Sequence, residues 1–270
     1  MNHMIAVNSN CYHGYSIEEA IDGISSAGFH YIELSAAKGW TEHIFPTMSS
    51  NYLNTVKGRL THAGLVPFAM GGLCNLMDKE HIGDFLANIR LASFFGCDYI
   101  VSSIGEAQLK DQAAASNEDV AEHIRELLPY LEEYDLQLVL ENHGQYATGQ
   151  MIKSIVDLID SPRVAINYNT ANVIYFAGVN PLKDMKTCID KIGYMHIKDK
   201  IGGRHEWNFP PLGQGTINFP AILDLLKKAD NSCPLSIEIE FTKTGSKDLL
   251  EVNRAVKTSY YFLQGLGLKF

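Results

Sequence analysis

The chain alternates eight times between a short apolar strand pattern and an amphipathic helix pattern. Strands separated by helices of ten or more residues indicate a parallel sheet, and eight of them suggest closure into a barrel. The length of 270 residues is ordinary for one such barrel. Since no linker or low-complexity tract interrupts the pattern, the sequence predicts one α/β domain over residues 1–270, a (β/α)8 barrel of the TIM type.

The periodicity also predicts where the elements lie. Predicted strands cover residues 4–8, 31–35, 66–70, 98–103, 137–142, 164–169, 192–198 and 235–240. Predicted helices cover residues 17–27, 50–62, 79–95, 118–134, 149–159, 181–190, 219–229 and 247–263. A loop rich in Ala, Gln and Ser is expected after strand four, and a long loop, 199–218, after strand seven. A doubly wound open sheet is the competing architecture, but residues 8–14 (NSNCYHG) lack its glycine-rich phosphate loop.

Composition narrows the class of partner. Hydrophobic residues make up 46% of the chain and charged residues 20%, which indicates a large core and excludes a disordered chain. The net charge of −9 argues against a nucleic-acid partner, because basic patches supply most of that affinity. Five widely spaced cysteines without a CxxC motif indicate a reduced, cytoplasmic protein. Neither a signal peptide nor a membrane span is read, so no membrane partner is expected.

Polar residues collect at the ends of the last four predicted strands, in residues 140–143 (LENH), 167–169 (NYN), 196–199 (HIKD) and 238–240 (EIE). In each segment two residues of metal-ligand or acid–base type stand two positions apart. A period of two places both on one face of a strand. If the barrel closes, all four pairs meet at one mouth, where a metal ion and a substrate can bind.

The first and third of these pairs contain both histidine and charged groups. Glu141 ends an apolar strand, so a metal or a cationic partner is expected; a salt bridge is the structural alternative. His143 is a ligand, a general base or a hydrogen-bonded loop residue. His196 suits a divalent metal through its neutral imidazole, although a histidine on an apolar strand is often a core residue. Lys198 shares its face and could stabilise an oxyanion.

The other two pairs supply oxygen ligands. Glu238 and Glu240 point to one side of strand eight, which is costly unless a cation or a proton lies between them. We expect Glu238 to be the deeper metal ligand and Glu240 to bind substrate or act as acid–base. Asn167 and Asn169 offer weaker, neutral oxygens, with a hydrogen-bond network as the alternative.

Three further residues are candidates for substrate binding. Glu33 ends strand two, while His205 and Trp207 lie in the long loop after strand seven, which could cover a sugar ring. Packing of the tryptophan against the barrel rim is the structural alternative.

These segments together resemble the xylose-isomerase-like TIM-barrel superfamily, in its sugar phosphate isomerase/epimerase group. The resemblance covers essentially the whole chain. It is carried by residues 140–144 (LENHG), 169–172 (NTAN), 196–199 (HIKD), 212–219 (LGQGTINF) and 236–240 (SIEIE). In that family one divalent cation, often manganese, is held by Glu, Asp, His and Glu. Transferred to this chain, the ligands are Glu141, Asn169, His196 and Glu238. Asn169 departs from the usual Asp and removes one negative charge.

The resemblance implies a metal-dependent enzyme that abstracts a proton next to a sugar carbonyl through an enediolate, giving isomerisation or epimerisation. Manganese is the expected ion, with magnesium, cobalt or zinc as alternatives. His143 and Glu240 are then the base and acid in either order, with Lys198 stabilising charge on oxygen. Substrate contacts are expected from Asn167, Trp207, His205 and Glu33.

Several alternatives stay open at this stage. The same enolate can undergo β-elimination, as in catalytic subunits of C-glycoside deglycosidases, which cleave 3-oxo-glycosides with a small accessory subunit. A related apurinic endonuclease uses three zinc ions, and a carbohydrate-binding barrel without metal is a non-enzymatic alternative. The expected partner is a small sugar or glycoside; a homo-oligomer is also open.

Overall fold

The computed structural model describes residues 3–105 and 115–270. Eight parallel strands pair in chain order, and the eighth pairs with the first, so the sheet closes. The strands are β1 (Ile5–Asn8), β2 (Tyr31–Ala37), β3 (Val66–Gly71), β4 (Tyr99–Ser103), β5 (Gln137–Glu141), β6 (Val164–Asn169), β7 (Ile192–Ile197) and β8 (Leu235–Ile237). This closure confirms the predicted (β/α)8 barrel.

Helices follow the strands around the outside of the barrel. They are α1 (Ile17–Ala27), α2 (Ser50–His62), α3 (Ile82–Phe95), α4 (Asn117–Arg125), α5 (Leu128–Glu133), α6 (Gly149–Ile159), α7 (Pro181–Cys188), α8 (Phe219–Lys228) and α9 (Leu249–Gly265). Within the described ranges, no helix has the length and apolarity needed to cross a bilayer. The helix predicted over residues 118–134 is two helices, because Pro129 has no N–H to donate and therefore suits the first turn of a new helix.

The loops at the carboxyl ends of the strands add short rim strands that the sequence did not predict. Asn208–Phe209 pairs antiparallel with Phe241–Thr242, so the loops after β7 and β8 are joined. Thr41–Glu42 folds back on the end of β2. The Ala-, Gln- and Ser-rich loop predicted after strand four falls mainly on residues 106–114, outside the described residues.

Inside the barrel, apolar and polar side chains form separate layers. A small apolar cluster fills the lower part: Ala6, Phe68, Ala69, Val101, Val139, Ala165 and Tyr194. The polar residues predicted at the strand ends lie above it, because inward-facing positions recur every two residues. The apolar layer thus gives the polar layer a closed floor.

The long loop after β7 is organised by one buried carboxylate. Asp199 is fully buried and accepts hydrogen bonds from the backbone N–H groups of Gly213 (2.9 Å), Gly215 (2.8 Å) and Ile217 (3.2 Å). A Cβ on Gly215 would lie 2.2 Å from Asp199 Oδ1 and 2.7 Å from the backbone nitrogen of Lys200. The glycine-containing segment 212–219 therefore wraps around a charge that needs several donors.

Replacing Gly215 with alanine is expected to destabilise the fold by at least about 2 kcal/mol, since hydrogen bonds to a buried charge must lengthen. Urea unfolding followed by circular dichroism measures the change. Gly58→Ala is the matched control: Gly58 lies inside α2, a Cβ there meets nothing within 4 Å, and a slight gain in stability is expected. Equal stability of the two variants would contradict this role of Asp199.

Candidate active site

A polar pocket of about 290 Å³ opens at the carboxyl ends of the strands. This size lies at the lower end of the range typical for small-molecule sites. The ionisable residues predicted at the strand ends line it together: Glu33, Glu141, His143, His196, Lys198, Glu238 and Glu240. The barrel therefore brings side chains from β2, β5, β7 and the end of β8 to one place.

His196 stands between two carboxylates at the floor of the pocket. Its Nδ1 is 2.6 Å from Glu141 Oε1, and its Nε2 is 3.0 Å from each oxygen of Glu33. Burial lowers the pKa of the imidazole, but the charges of Glu33 and Glu141 outweigh burial and hold it well above its usual value. Burial likewise raises the pKa of Glu141, and His196 reverses the effect, so this carboxyl stays ionised.

Glu33 is a positioning group for this histidine. Besides His196, its oxygens accept hydrogen bonds from Tyr194 Oη (2.9 Å) and Asn8 Nδ2 (3.0 Å). The side chain is fully buried. Two further donors therefore fix the carboxylate that holds the ring of His196.

Lys198 forms salt bridges with both Glu238 and Glu240, which follow β8. Its Nζ is 2.6 Å from Glu240 Oε2 and 3.2 Å from Glu238 Oε2, and it lies 4.3 Å from the centre of the Phe209 ring. Burial lowers the pKa of this amine, but the two carboxylates raise it above its ordinary value. Burial raises the pKa of Glu240, against the effect of Lys198. Asn10 Nδ2 donates to both glutamates at 3.3 Å.

Asn169 turns its nitrogen, and not its oxygen, toward the carboxylates. Nδ2 donates to Glu141 Oε1 at 2.8 Å and to Glu238 Oε2 at 2.9 Å. Oδ1 accepts the backbone N–H groups of Ala171 at 3.1 Å and Asn172 at 3.0 Å. Because the oxygen is held by two backbone donors, the amide bridges the two glutamates as a neutral donor.

The remaining predicted residues lie at different depths. The ring of His143 faces the pocket and meets Phe176 edge-on at 4.8 Å; among the described residues its Nδ1 has no hydrogen-bond partner. Burial lowers the pKa of His143. Asn167 is fully buried and lies outside the pocket lining, with neither amide atom hydrogen-bonded to described residues. His205 is exposed on the rim, where its ring meets Tyr175 edge-on at 5.8 Å.

Aromatic side chains form the upper wall of the pocket. Trp207 contacts Tyr175 at 5.6 Å and Phe209 at 5.1 Å, both edge-on, and lies 6.3 Å from Trp40. The sequence did not indicate Tyr175 or Phe176, which follow β6 in a short π-helix, Val173–Ala177. Asn10 was also missed, because it lies in the short 3-10 helix Ser9–Tyr12 after β1, where the strand period of two does not apply.

The donor set can be tested against a divalent cation. Glu141, His196 and Glu238 each offer a ligand atom, and these atoms lie within 4.8 Å of one another; they form the one such cluster found in residues 3–105 and 115–270. Four carboxylates, from Glu33, Glu141, Glu238 and Glu240, are contacted by the basic groups of His196 and Lys198. This excess of negative charge and the mixed carboxylate–imidazole donors fit one divalent ion. Asn169 does not direct its oxygen to that place.

Solved structures of other proteins share this architecture. The IOLI protein with a bound zinc atom is 18% identical, with 97% of each chain covered and a TM-score of 0.78. A Methylomonas sp. D-allulose 3-epimerase in complex with D-allulose is 17% identical, covering 98% of this chain and 97% of the epimerase, with a TM-score of 0.75. A Mycobacterium smegmatis protein in complex with magnesium is 16% identical, covering 98% and 97%, with a TM-score of 0.74. No curated protein matches the sequence.

A closed parallel barrel with its polar pocket at the carboxyl ends of the strands defines a TIM-barrel protein of the kind that carries its site in the β–α loops. The family model described as xylose isomerase-like TIM barrel matches residues 21–256. The chain belongs to this xylose isomerase-like TIM-barrel family.

Proposed function

We propose that the protein is a divalent-metal-dependent carbohydrate enzyme that removes a proton next to a sugar carbonyl, as an isomerase or epimerase. The observation that carries this proposal is the convergence of Glu141, His196 and Glu238 on one point of a pocket that Lys198 and Glu240 also line. Membership of the xylose isomerase-like family supports it. So do the relatives of the same fold that are sugar epimerases.

Glu141, His196 and Glu238 would hold the ion, and His196 would give up the extra proton that Glu33 and Glu141 favour on its ring. Asn169 would brace the two carboxylates. When bound, a divalent cation polarises a substrate carbonyl and lowers the energy of the enediolate. Manganese is our first choice, because two carboxylates and one imidazole suit a borderline-hard ion. Magnesium and zinc, which the structural relatives bind, and cobalt are the alternatives.

The proton transfers are assigned to residues of this chain. Among the described residues His143 Nδ1 has no hydrogen-bond partner, and a lowered pKa keeps the ring neutral near pH 7, so the ring can accept a proton. Glu240, whose pKa is raised, can donate one. Either order is compatible with their places in the pocket. Lys198 stays cationic and can stabilise negative charge on a substrate oxygen.

Substrate contacts are proposed at three levels of the pocket. Trp207 offers an aromatic face at the rim, and His205 can contribute from the exposed loop. Asn167, whose amide atoms have no partner among the described residues, can contribute from below. Glu33 reaches the pocket lining, but its hydrogen bonds favour a role in orienting His196 over direct binding of the sugar.

The test is a combined metal and exchange experiment. Protein purified without chelator is analysed for bound metal, reloaded with Mn²⁺, and incubated in D₂O with D-allulose or D-fructose. We expect close to one ion per chain and incorporation of deuterium at the carbon next to the carbonyl. A protein that binds no divalent ion and shows no exchange would sink the proposal and favour a carbohydrate-binding barrel without metal.

A second candidate is β-elimination from 3-oxo-glycosides, which begins with the same proton abstraction. It is favoured by a further cavity beside Glu240, on the other side of the two tryptophans. Release of an aglycone from a 3-oxo-glucoside would select this lyase. Inversion at C3 or migration of the carbonyl in a free sugar would select the epimerase or isomerase.

A further inference from the structure

A second cavity of about 490 Å³ adjoins the pocket that contains Glu141, and we call it the outer pocket. Trp40, Trp207 and Glu240 line both cavities. The rest of the outer pocket comes from the loops after β1 and β8. These three side chains therefore separate the two cavities, and we call them the partition. Glu240, the candidate acid–base residue, is accessible from both cavities.

The outer pocket presents flat ring surfaces. The His13 imidazole stacks on the Trp40 indole with ring centres 4.1 Å apart and planes 11° from parallel. Trp40 remains 38% exposed although it belongs to this stack. The His13 and Trp40 rings are already held in place by this stack, so binding a ligand ring against them costs little conformational entropy. The exposed part of Trp40 offers a surface on which such a ring can stack.

The same histidine offers a hydrogen-bond acceptor. Thr41 Oγ1 donates its one hydrogen to Asn10 Oδ1 at 2.6 Å, so it must accept from His13 Nδ1 at 2.8 Å. This assignment leaves Nε2 of the neutral ring as an acceptor, and it has no partner among the described residues. Burial lowers the pKa of His13, which favours this neutral form. Asn10 continues the chain of hydrogen bonds to Glu240 and Glu238.

Hydroxyl groups complete the far side of the outer pocket. Thr242 and Thr244 share a hydrogen bond of 2.9 Å, and Tyr15 and Ser246 share one of 3.3 Å. Phe241, between Glu240 and these hydroxyls, has a φ of +58°, which is strained for an aromatic residue. Such strain is retained where the surrounding structure holds it, and here the pairing of Phe241 with Phe209 does so.

We propose that the outer pocket binds a second ring that carries hydroxyl groups and is joined to the sugar in the inner pocket. The substrate is then a glycoside, with the bond between its two parts passing Glu240. The proposal rests on the proposed function only in taking the inner pocket as the sugar site. The second ring is either another sugar or a phenolic aglycone, since both offer a stacking face and hydroxyl donors to His13 Nε2.

The test compares three probes that share one sugar: methyl β-D-glucopyranoside, 4-hydroxyphenyl β-D-glucopyranoside and cellobiose. Trp40 and Trp207 are the two tryptophans of the chain, so intrinsic fluorescence reports binding at the partition. We expect the better of the two-ring probes to bind at least about tenfold more tightly than the methyl glycoside, a difference of about 1.4 kcal/mol. In His13→Ala this ratio is expected to fall close to one. In His62→Ala, an exposed change on α2, it is expected to persist.

A preference for cellobiose identifies a second sugar, and a preference for the hydroxyphenyl glycoside identifies a phenolic aglycone; either supports the outer pocket. Equal affinities for the three probes, no detectable binding of any of them, or a ratio that survives His13→Ala would overturn it. Failure of the proposed function looks different: the preference for two rings would remain, while the deuterium exchange described above would be absent.

Discussion

Replacing Glu141 with glutamine is expected to lower divalent-metal affinity by at least about 100-fold. Mutation of residues that only hydrogen-bond to metal ligands already lowers metal affinity about 10- to 100-fold, and Glu141 is itself a proposed ligand. The change removes a charged ligand and leaves a neutral amide oxygen, a weaker acceptor, opposite His196 Nδ1, which now lies 2.6 Å from the carboxylate. Deuterium exchange into D-allulose should also slow by at least about 100-fold. Loss of one group that stabilises negative charge in a transition state typically slows an enzyme by this factor. Calorimetric titration with Mn²⁺ and mass spectrometry of the exchanged sugar measure the two effects.

Glu133→Gln is the matched control for this change, since Glu133 is exposed on α5 and does not line the pocket. It makes the same chemical substitution and should bind Mn²⁺ as the unchanged protein does. If Glu141→Gln retained both metal affinity and exchange, the three-residue site would not be the metal centre.

Replacing Asn169 with aspartate is expected to increase affinity for Mn²⁺ by at least about tenfold, because the number of charged ligands tunes such sites. In the chain as it stands, Oδ1 of Asn169 is occupied by two backbone donors and Nδ2 faces the carboxylates. Aspartate can keep the backbone bonds with one oxygen and turn the other toward the ion. Calorimetric titration with Mn²⁺ provides the measurement.

The same variant should be less stable without metal. Its second oxygen would stand where Nδ2 now lies, 2.8 and 2.9 Å from carboxylate oxygens of Glu141 and Glu238. Three carboxylates at such short distances repel one another and raise the free energy of the metal-free fold. Bound Mn²⁺ should offset this repulsion and restore the melting temperature. Asn180→Asp, at the exposed start of α7, adds the same charge without this effect. If Asn169→Asp had the same Mn²⁺ affinity and the same stability as the parent protein, Asn169 would not be what limits metal affinity at this site.

The barrel and most of its pocket followed from the sequence because both depend on short-range periodicity. Alternation of strand and helix fixed the order of elements, and the period of two predicted which side chains face inward. Glu141, His196 and Glu238 come together because parallel strands end at the same mouth. Their meeting therefore needed no knowledge of side-chain conformation.

Contacts across the closed barrel could not be predicted in this way. The pairing of Glu33 with His196 depends on the junction of β1 with β2 and on where Tyr194 and Asn8 direct their donors. The orientation of the Asn169 amide depends on the backbone turn at Ala171 and Asn172. The sequence left Asn169 either as an oxygen ligand or as part of a hydrogen-bond network, and the local backbone donors turn its nitrogen, not its oxygen, toward the pocket.

The periodic pattern also could not predict the residues at which strands and helices end. Strand eight was predicted to reach Glu240, but its ladder ends at Ile237. Glu238 and Glu240 nevertheless both line the pocket beyond the end of this ladder. Pro129 was a usable signal for the break between α4 and α5, because proline inside a helical pattern ends or kinks the helix.

The buried Asp199 has a consequence for redesign of this protein. It anchors the far half of the loop after β7 through Gly213, Gly215 and Ile217, while Asn208 and Phe209 are tied to the neighbouring loop. The exposed stretch 201–206 between these anchors is therefore the part of the loop that is open to variation. Libraries that vary its side chains and keep the backbone hydrogen bond from His205 to Tyr175 should alter which ligands enter the mouth, while the melting temperature stays close to that of the parent barrel.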